Sequence, residues 1–238
     1  MVSVLETYVD EKECLMNDIP VCRVLASFGQ DEKIRDEAWE LLHKAFLDSR
    51  GVAISSLDKE KLGLHLTGYL ANLGMYRASS FLMTQINYLV HCDLVDILMK
   101  GEYQPLFDID PFDETARFVC LAENVYREID TYYRRVRGTN RATSVTLVTK
   151  IMLGVYGCVP AYDEYVTRSL RKYGIPITKK GIPDFEALIK AIKKNNVFLE
   201  NVKAAQKHYN GYTIMRLIDM ILWKVGQKIS KNKGGVLL

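Results

Sequence analysis

Between Arg141 and Tyr173, in RATSVTLVTKIMLGVYGCVPAYDEYVTRSLRKY, apolar positions are dense enough to leave a helix only one small or polar face. At about 100° per residue, Val145, Leu147, Val148, Ile151, Met152, Val155 and Tyr156 cover most of the circumference, the pattern of a helix buried inside a globular domain. Thr143, Thr146, Lys150, Gly154 and Gly157 follow one another at spacings of 3, 4, 4 and 3, a strip of small residues with one amine at its centre. A turn containing Gly157 and Pro160 then leads to a second helix with a basic end. The chain is organised around this helix pair.

The rest of the pattern is helical too. Residues 1–30 read as one or two short helices interrupted at Ile19-Pro20, with Val21, Val24, Leu25 and Phe28 on the second. From Asp31, Ile34, Ala38, Leu41, Leu42 and Ala45 mark a helix that ends near Gly51. Ser55 or Ser56 caps the next, which Gly74 stops. The segment after Gly74 starts a helix, followed by another from about Asn87 to Lys100. A loop over Asp108–Pro111 precedes a long helix capped by Asp110 or Asp113, with Phe118, Leu121, Val125 and Ile129 inward and a basic end, YYRRVRG. Beyond the central pair, a loop spans Gly174–Pro183 and a helix starts at Asp184. Asn195-Asn196 bends or breaks it before VFLENVKAAQKHY, a last helix runs from about Tyr212 to Lys228, and the tail SKNKGGVLL frays. With no period-two strand and no fixed repeat, the fold class is all-α: one irregular multi-helix domain over 1–238, or two abutting lobes, 1–110 and 111–238.

Composition narrows the function classes. At 48% apolar residues, 238 residues can build a proper core. Five cysteines without C-x-x-C pairing suggest neither a disulfide framework nor a zinc ribbon. No apolar run reaches membrane-spanning length and the first residues are acidic, so the expectation is a soluble, cytoplasmic, unprocessed protein without a membrane partner. The apolar stretch Tyr212–Val225 itself carries Arg216 and Asp219. Net charge is +3, but residues 127–180 hold eleven basic and four acidic side chains, while 1–40 hold four basic and ten acidic. A basic field of this kind suits a polyanion, and makes Arg134, Arg135, Arg137, Arg141, Arg168, Arg171 and Lys172, followed by Lys179 and Lys180, candidate nucleic-acid contacts. A solvated basic surface is the plainer alternative.

Candidate chemistry is sparse. Glu40 and His43 form a single Glu-x-x-His pair, too little for a dimetal bundle, and there is no phosphate loop or dinucleotide fingerprint, so no metal or cofactor is expected. Ser79-Ser80 lacks a nucleophile-elbow context. Lys150 is the better candidate, since burial lowers a lysine's pKa and frees it as a nucleophile, while Thr146, Gly154 and Gly157 leave a ligand room. The structural alternative is a lysine that reaches solvent or pairs with Asp163 or Glu164, with Asp163 serving as a helix cap.

The segment VTKIMLGVYGCVPAYDEYVTR, an apolar helix, a Gly/Pro turn, an aspartate and then an arginine, resembles the helix-hairpin-helix DNA glycosylase superfamily, in its divergent 8-oxoguanine-glycosylase-like form, over about residues 141–171. The resemblance implies a DNA-repair hydrolase acting on a flipped nucleotide, with Asp163 assisting departure of the base and Lys150 attacking the sugar. The turn departs from that family's hairpin: RVRGTNRATSVT has one glycine and no L-P-G-[IV]-G, and Lys150 sits mid-helix. Extrusion of a base requires a stacking wall, for which Tyr156 and Tyr162 are candidates beside Pro160. The segment YLANLGMYRASSFL resembles an element of uncharacterised bacterial proteins and implies no chemistry. The alternative function is a non-catalytic helical binding or interaction protein of a bacterial defence or mobile-element system.

Overall fold

A computed structural model describes residues 16–234, and the expected first short helix falls largely outside them. Eleven α-helices account for most of the described chain, as an all-α fold requires. After a 3-10 turn at Met16–Asp18 come α1 (Val21–Leu25), α2 (Gln30–Asp48) and α3 (Ser56–Asn72), then the short α4 (Phe81–Thr84) and α5 (Val90–Leu98). A 3-10 segment, Gly101–Phe107, leads into α6 (Thr115–Val136), α7 (Val145–Tyr156) and α8 (Glu164–Lys172). Finally come α9 (Phe185–Lys194), α10 (Asn196–Gln206) and α11 (Ile214–Gly234).

The capping chemistry is largely that of the sequence. The Ser55 hydroxyl accepts from Asp58 N while the Asp58 carboxylate reaches back to Ser55 N, a reciprocal cap for α3. Ser144 caps α7 by accepting from Leu147 N (3.1 Å). Other details differ. Neither Asp110 nor Asp113 caps α6: Asp110 accepts from Phe112 N (2.7 Å), which closes the preceding turn, and the helix begins at Thr115. The Gly174–Pro183 loop contains a minimal antiparallel hairpin, Thr178–Lys179 against Ile182–Pro183, closed by Lys180 and Gly181 at positive φ. The α11 helix continues six residues past the expected end at Lys228.

Buried apolar side chains form one cluster that runs across residue 110 from Met16 to Val225, with α7 at its centre. Every α7 residue from Leu147 to Tyr156 is buried. Neighbours also meet carbonyls at the helix's C-terminal end: Trp39 Nε1 donates to Leu153 O (2.8 Å), which accepts from Gly157 N as well, and His43 Nδ1 lies 2.9 Å from Val155 O. Gly157 ends α7 in the left-handed conformation at φ 63°. The tightest crossing is α8 on α11, where a Cβ on Gly226 would stand 1.9 Å from the Tyr165 carbonyl oxygen, so only glycine fits.

Candidate active site

The N-terminal half of α7, the turn after it and the start of α8 form one side of a cavity of about 690 Å³. α2 and α11 supply the opposite side, and the chain from the end of α3 through Leu73, Gly74 and Met75 to Ser80 forms the rim. Lys150 and Asp163 both open onto this space.

Lys150 is 7% exposed. Its Nζ donates to Leu73 O (3.1 Å) and lies 3.6 Å from Met75 Sδ, a poor environment for an ammonium. Burial lowers its pKa from the ordinary lysine value; Asp163 and Asp219 pull the other way, while Arg77 and Arg35 add to the lowering. Asp163 caps α8, its Oδ1 accepting from Tyr165 N and Val166 N (3.0 Å each). Burial raises its pKa against the opposing effect of those N–H groups and of Lys150. The amine and carboxylate feel each other electrostatically but are not within ion-pair distance.

Below them lies a buried charged network. Arg216 donates from Nη1 to Asp219 (2.8 Å) and from Nη2 to Asp36 (2.5 Å), and stacks over Trp39 with 5.2 Å to the ring centroid. Asp219 Oδ1 accepts from Ala161 N (2.9 Å), two residues before Asp163, and so fixes the turn that presents the cap. Burial pushes the Asp219 carboxyl up to about 6 despite Arg216, and raises Asp36 in the same way. Burial works against the charged form of Arg216, but Asp219 and Asp36 outweigh it and raise its pKa. The Tyr69 hydroxyl, in the field of Arg216, Asp219 and Asp163, is buried without a partner among the described residues.

The small-residue strip is divided by its neighbours. Thr146 and Lys150 line the cavity, and Thr146 Oγ1 donates to Tyr162 O (2.9 Å). Gly154 and Gly157 are packing positions: a Cβ on Gly154 would lie 2.6 Å from Leu42 Cδ2 and Tyr69 Cε1, and one on Gly157 would lie 2.7 Å from Thr213 Cγ2. Pro160 is buried away from the cavity wall. The expected stacking wall is also elsewhere. Tyr156 is fully buried with its hydroxyl donating to Leu98 O (2.5 Å), and Tyr162 packs edge-on to Phe185. The aromatic groups that do line the cavity are Tyr69, Trp223, Tyr165 and Phe28, with Tyr165 edge-on to Trp223 at 5.3 Å and Phe28 at 6.4 Å from it.

The expected nucleic-acid cations lie outside the cavity wall. Arg134 pairs with Asp130 (2.6 Å), Arg168 pairs with Glu164 (2.6 Å), and Arg135 lies over Tyr132. Arg137 lies over Phe81, the residue after the rim's Ser80. Arg141, Arg171 and Lys172 are exposed, Lys172 beside the Tyr173 ring. The cations in the wall, apart from Lys150, are Arg35, Arg77 and Arg216, none of which the charge distribution singles out. One signal for Arg216 was legible: it and Asp219, three residues apart, interrupt the otherwise apolar stretch from Ile214 to Trp223. Compared with known protein families, curated proteins and solved structures, the chain matches none.

Proposed function

We propose that the cavity receives a nucleotide extruded from DNA and cleaves its N-glycosidic bond, with Lys150 as nucleophile and Asp163 as the assisting carboxylate. The observation that carries this reading is the placement of a buried amine of lowered pKa and a carboxylate of raised pKa on one cavity, beside an aromatic corner of Trp223, Tyr165 and Phe28. Neutral Lys150 attacks the sugar carbon C1′. The C1′–N bond breaks, and its electron pair leaves with the base, which takes up the proton that the attacking amine releases by way of Asp163. The Asp163 carboxylate stabilises positive charge on the sugar and accepts the proton the amine releases; its raised pKa suits that exchange. The sugar ring then opens to a Schiff base, which water hydrolyses. Stacking against Trp223 and Tyr165 offsets the cost of unstacking the base.

Borohydride reduces such a Schiff base to a stable cross-link. Wild-type protein is expected to become covalently joined to DNA carrying a damaged base or an abasic site, and Lys150→Gln to remain unjoined at equal folded concentration. Cross-linking that persists in Lys150→Gln would give the nucleophile's role to another amine. A second reading, binding without turnover, is favoured by the hydrogen bonds already made: Lys150 to Leu73 O and Asp163 to two α8 amides account for both side chains structurally. Under that reading, Asp163→Asn leaves DNA affinity unchanged and no base is released by either protein.

A further inference from the structure

The charges around the cavity are unevenly matched. Four of its carboxylates have a cationic partner: Glu32 with Lys224 (2.5 Å), Glu164 with Arg168 (2.6 Å), and Asp36 and Asp219 with Arg216 (2.5 and 2.8 Å). Asp163 directs one oxygen to the α8 amides. The cations Arg35, Arg77 and Lys150 have no carboxylate within ion-pair distance among the described residues. Arg35 is exposed on α2 and lies over the Trp223 ring at 6.0 Å. Arg77 is exposed on the rim, its stem held by an Nε bond to Gly74 O (2.8 Å), which leaves the two terminal nitrogens directed elsewhere. Both guanidinium groups act on the Lys150 amine, on which Asp163 and Asp219 act in the opposite sense, so Arg35 and Arg77 are the wall's cations with neither an ion-pair partner among the described residues nor a neighbouring carboxylate held in common with Lys150.

We infer that Arg35 and Arg77 form a phosphate clamp at the cavity mouth, so that the ligand is a nucleotide held by its phosphate rather than a free base or nucleoside. Guanidinium groups present paired N–H donors that match phosphate oxygens, and a dianion at the mouth offsets the charge of the two arginines. Ser79 adds a hydroxyl on the Arg77 side. Arg35 lies over Trp223, and Arg77 and Lys150 line the same cavity, so phosphate, ring and sugar each have a separate group to meet. This inference rests on the reading that the cavity takes a nucleotide and narrows it. It also moves phosphate recognition from the α6 and α8 arginines, several of which are already paired or stacked, to two residues of α2 and the rim.

The test is calorimetric titration with thymidine, thymidine 5′-monophosphate and inorganic pyrophosphate. In wild type the monophosphate is expected to bind roughly tenfold or more tightly than thymidine, the scale of one or two charge-assisted hydrogen bonds. Arg35→Gln/Arg77→Gln should bring the two ligands within about threefold, while Arg134→Gln/Arg135→Gln should leave the preference intact. Pyrophosphate binding that requires Arg35 and Arg77, with no binding of either thymidine ligand, would keep the clamp and sink the nucleotide reading. Equal affinity for nucleoside and nucleotide, loss of the preference in the α6 variant alone, or no binding of any probe would overturn the clamp.

Discussion

Replacing Lys150 with methionine separates a working amine from a structural one, because the two roles predict opposite changes in stability. Methionine keeps the length and apolar stem of the side chain and removes an ammonium whose protein contacts are one carbonyl and one thioether. Relief of a polar group buried with incomplete hydrogen bonding is worth about 1–3 kcal/mol, and loss of the bond to Leu73 O costs about 1 kcal/mol. The variant is therefore expected to gain up to about 2 kcal/mol at pH 7, a rise in Tm of up to about 8 °C for a chain of this size. The gain should depend on pH. With the folded-state pKa of Lys150 below its ordinary value of 10.5, the unfolded chain binds the extra proton between the two values, so wild-type stability climbs with pH through that window. The advantage of Lys150→Met should accordingly shrink toward pH 10.5. Urea titrations of both proteins at pH 7 and pH 10 measure this directly. A variant about 1 kcal/mol less stable than wild type at pH 7, or an advantage that grows with pH, would make Lys150 a structural anchor for the rim and refute the argument that its burial serves chemistry.

The two roles of Asp163 come apart similarly. Asp163→Asn keeps an Oδ1 acceptor for the α8 amides and should retain stability within about 0.5 kcal/mol while losing base release, whereas Asp163→Ala should also lose about 1 kcal/mol in urea denaturation. Gly226→Ala drives a methyl group into the Tyr165 carbonyl and should cost about 3 kcal/mol or more in thermal unfolding, since backbone must move; Gly154→Ala meets only the side chains of Leu42 and Tyr69 and should cost about 1–3 kcal/mol. Nucleobase stacking on Trp223 should quench its fluorescence, with Trp39 a constant buried background; an unchanged spectrum at saturating nucleotide would place the ligand's ring elsewhere.

Helix periodicity made most of the fold legible: Phe118, Val125 and Ile129 of α6 are all fully buried at the spacing that marked them, whereas on α2 the same reading placed Ile34 and Leu41 on the buried face with Leu42, and both are exposed. Helix ends were less legible where a competing local bond intervened. Asp110 is as good a cap as any aspartate, but its carboxylate closes the turn at Phe112 and the chain enters α6 five residues later without a side-chain cap. The strip on α7 was read as one open face, yet a helix surface is filled by whatever packs on it. Leu42 and Tyr69 arrive from helices far away in sequence and take the Gly154 end, leaving Thr146 and Lys150 to the cavity. The aromatic wall was misplaced for a reason the sequence already contained: Tyr156 follows Lys150 by six residues, about 240° around the helix, and so cannot share its face.

Long-range charge pairing explains why the site itself was only half visible. Regional counts treat every arginine alike, which drew attention to residues 127–180, but a cation is available to a ligand only when no carboxylate has taken it. Arg134 and Arg168 have theirs four residues away on their own helices, a match the sequence shows to anyone counting i,i+4 pairs. Arg35 lies instead in the most acidic part of the chain, where local composition predicts that it is neutralised. The fold sends two carboxylates beside it in sequence to other partners, Glu32 to Lys224 and Asp36 to Arg216, both on α11 and nearly the whole chain away. An acidic segment thereby contributes to the cavity a cation with no carboxylate within ion-pair distance among the described residues, and α11 takes part in this by carrying a lysine and an arginine at buried positions. Those two helices together, more than the basic stretch between them, decide which charge the cavity presents to a ligand.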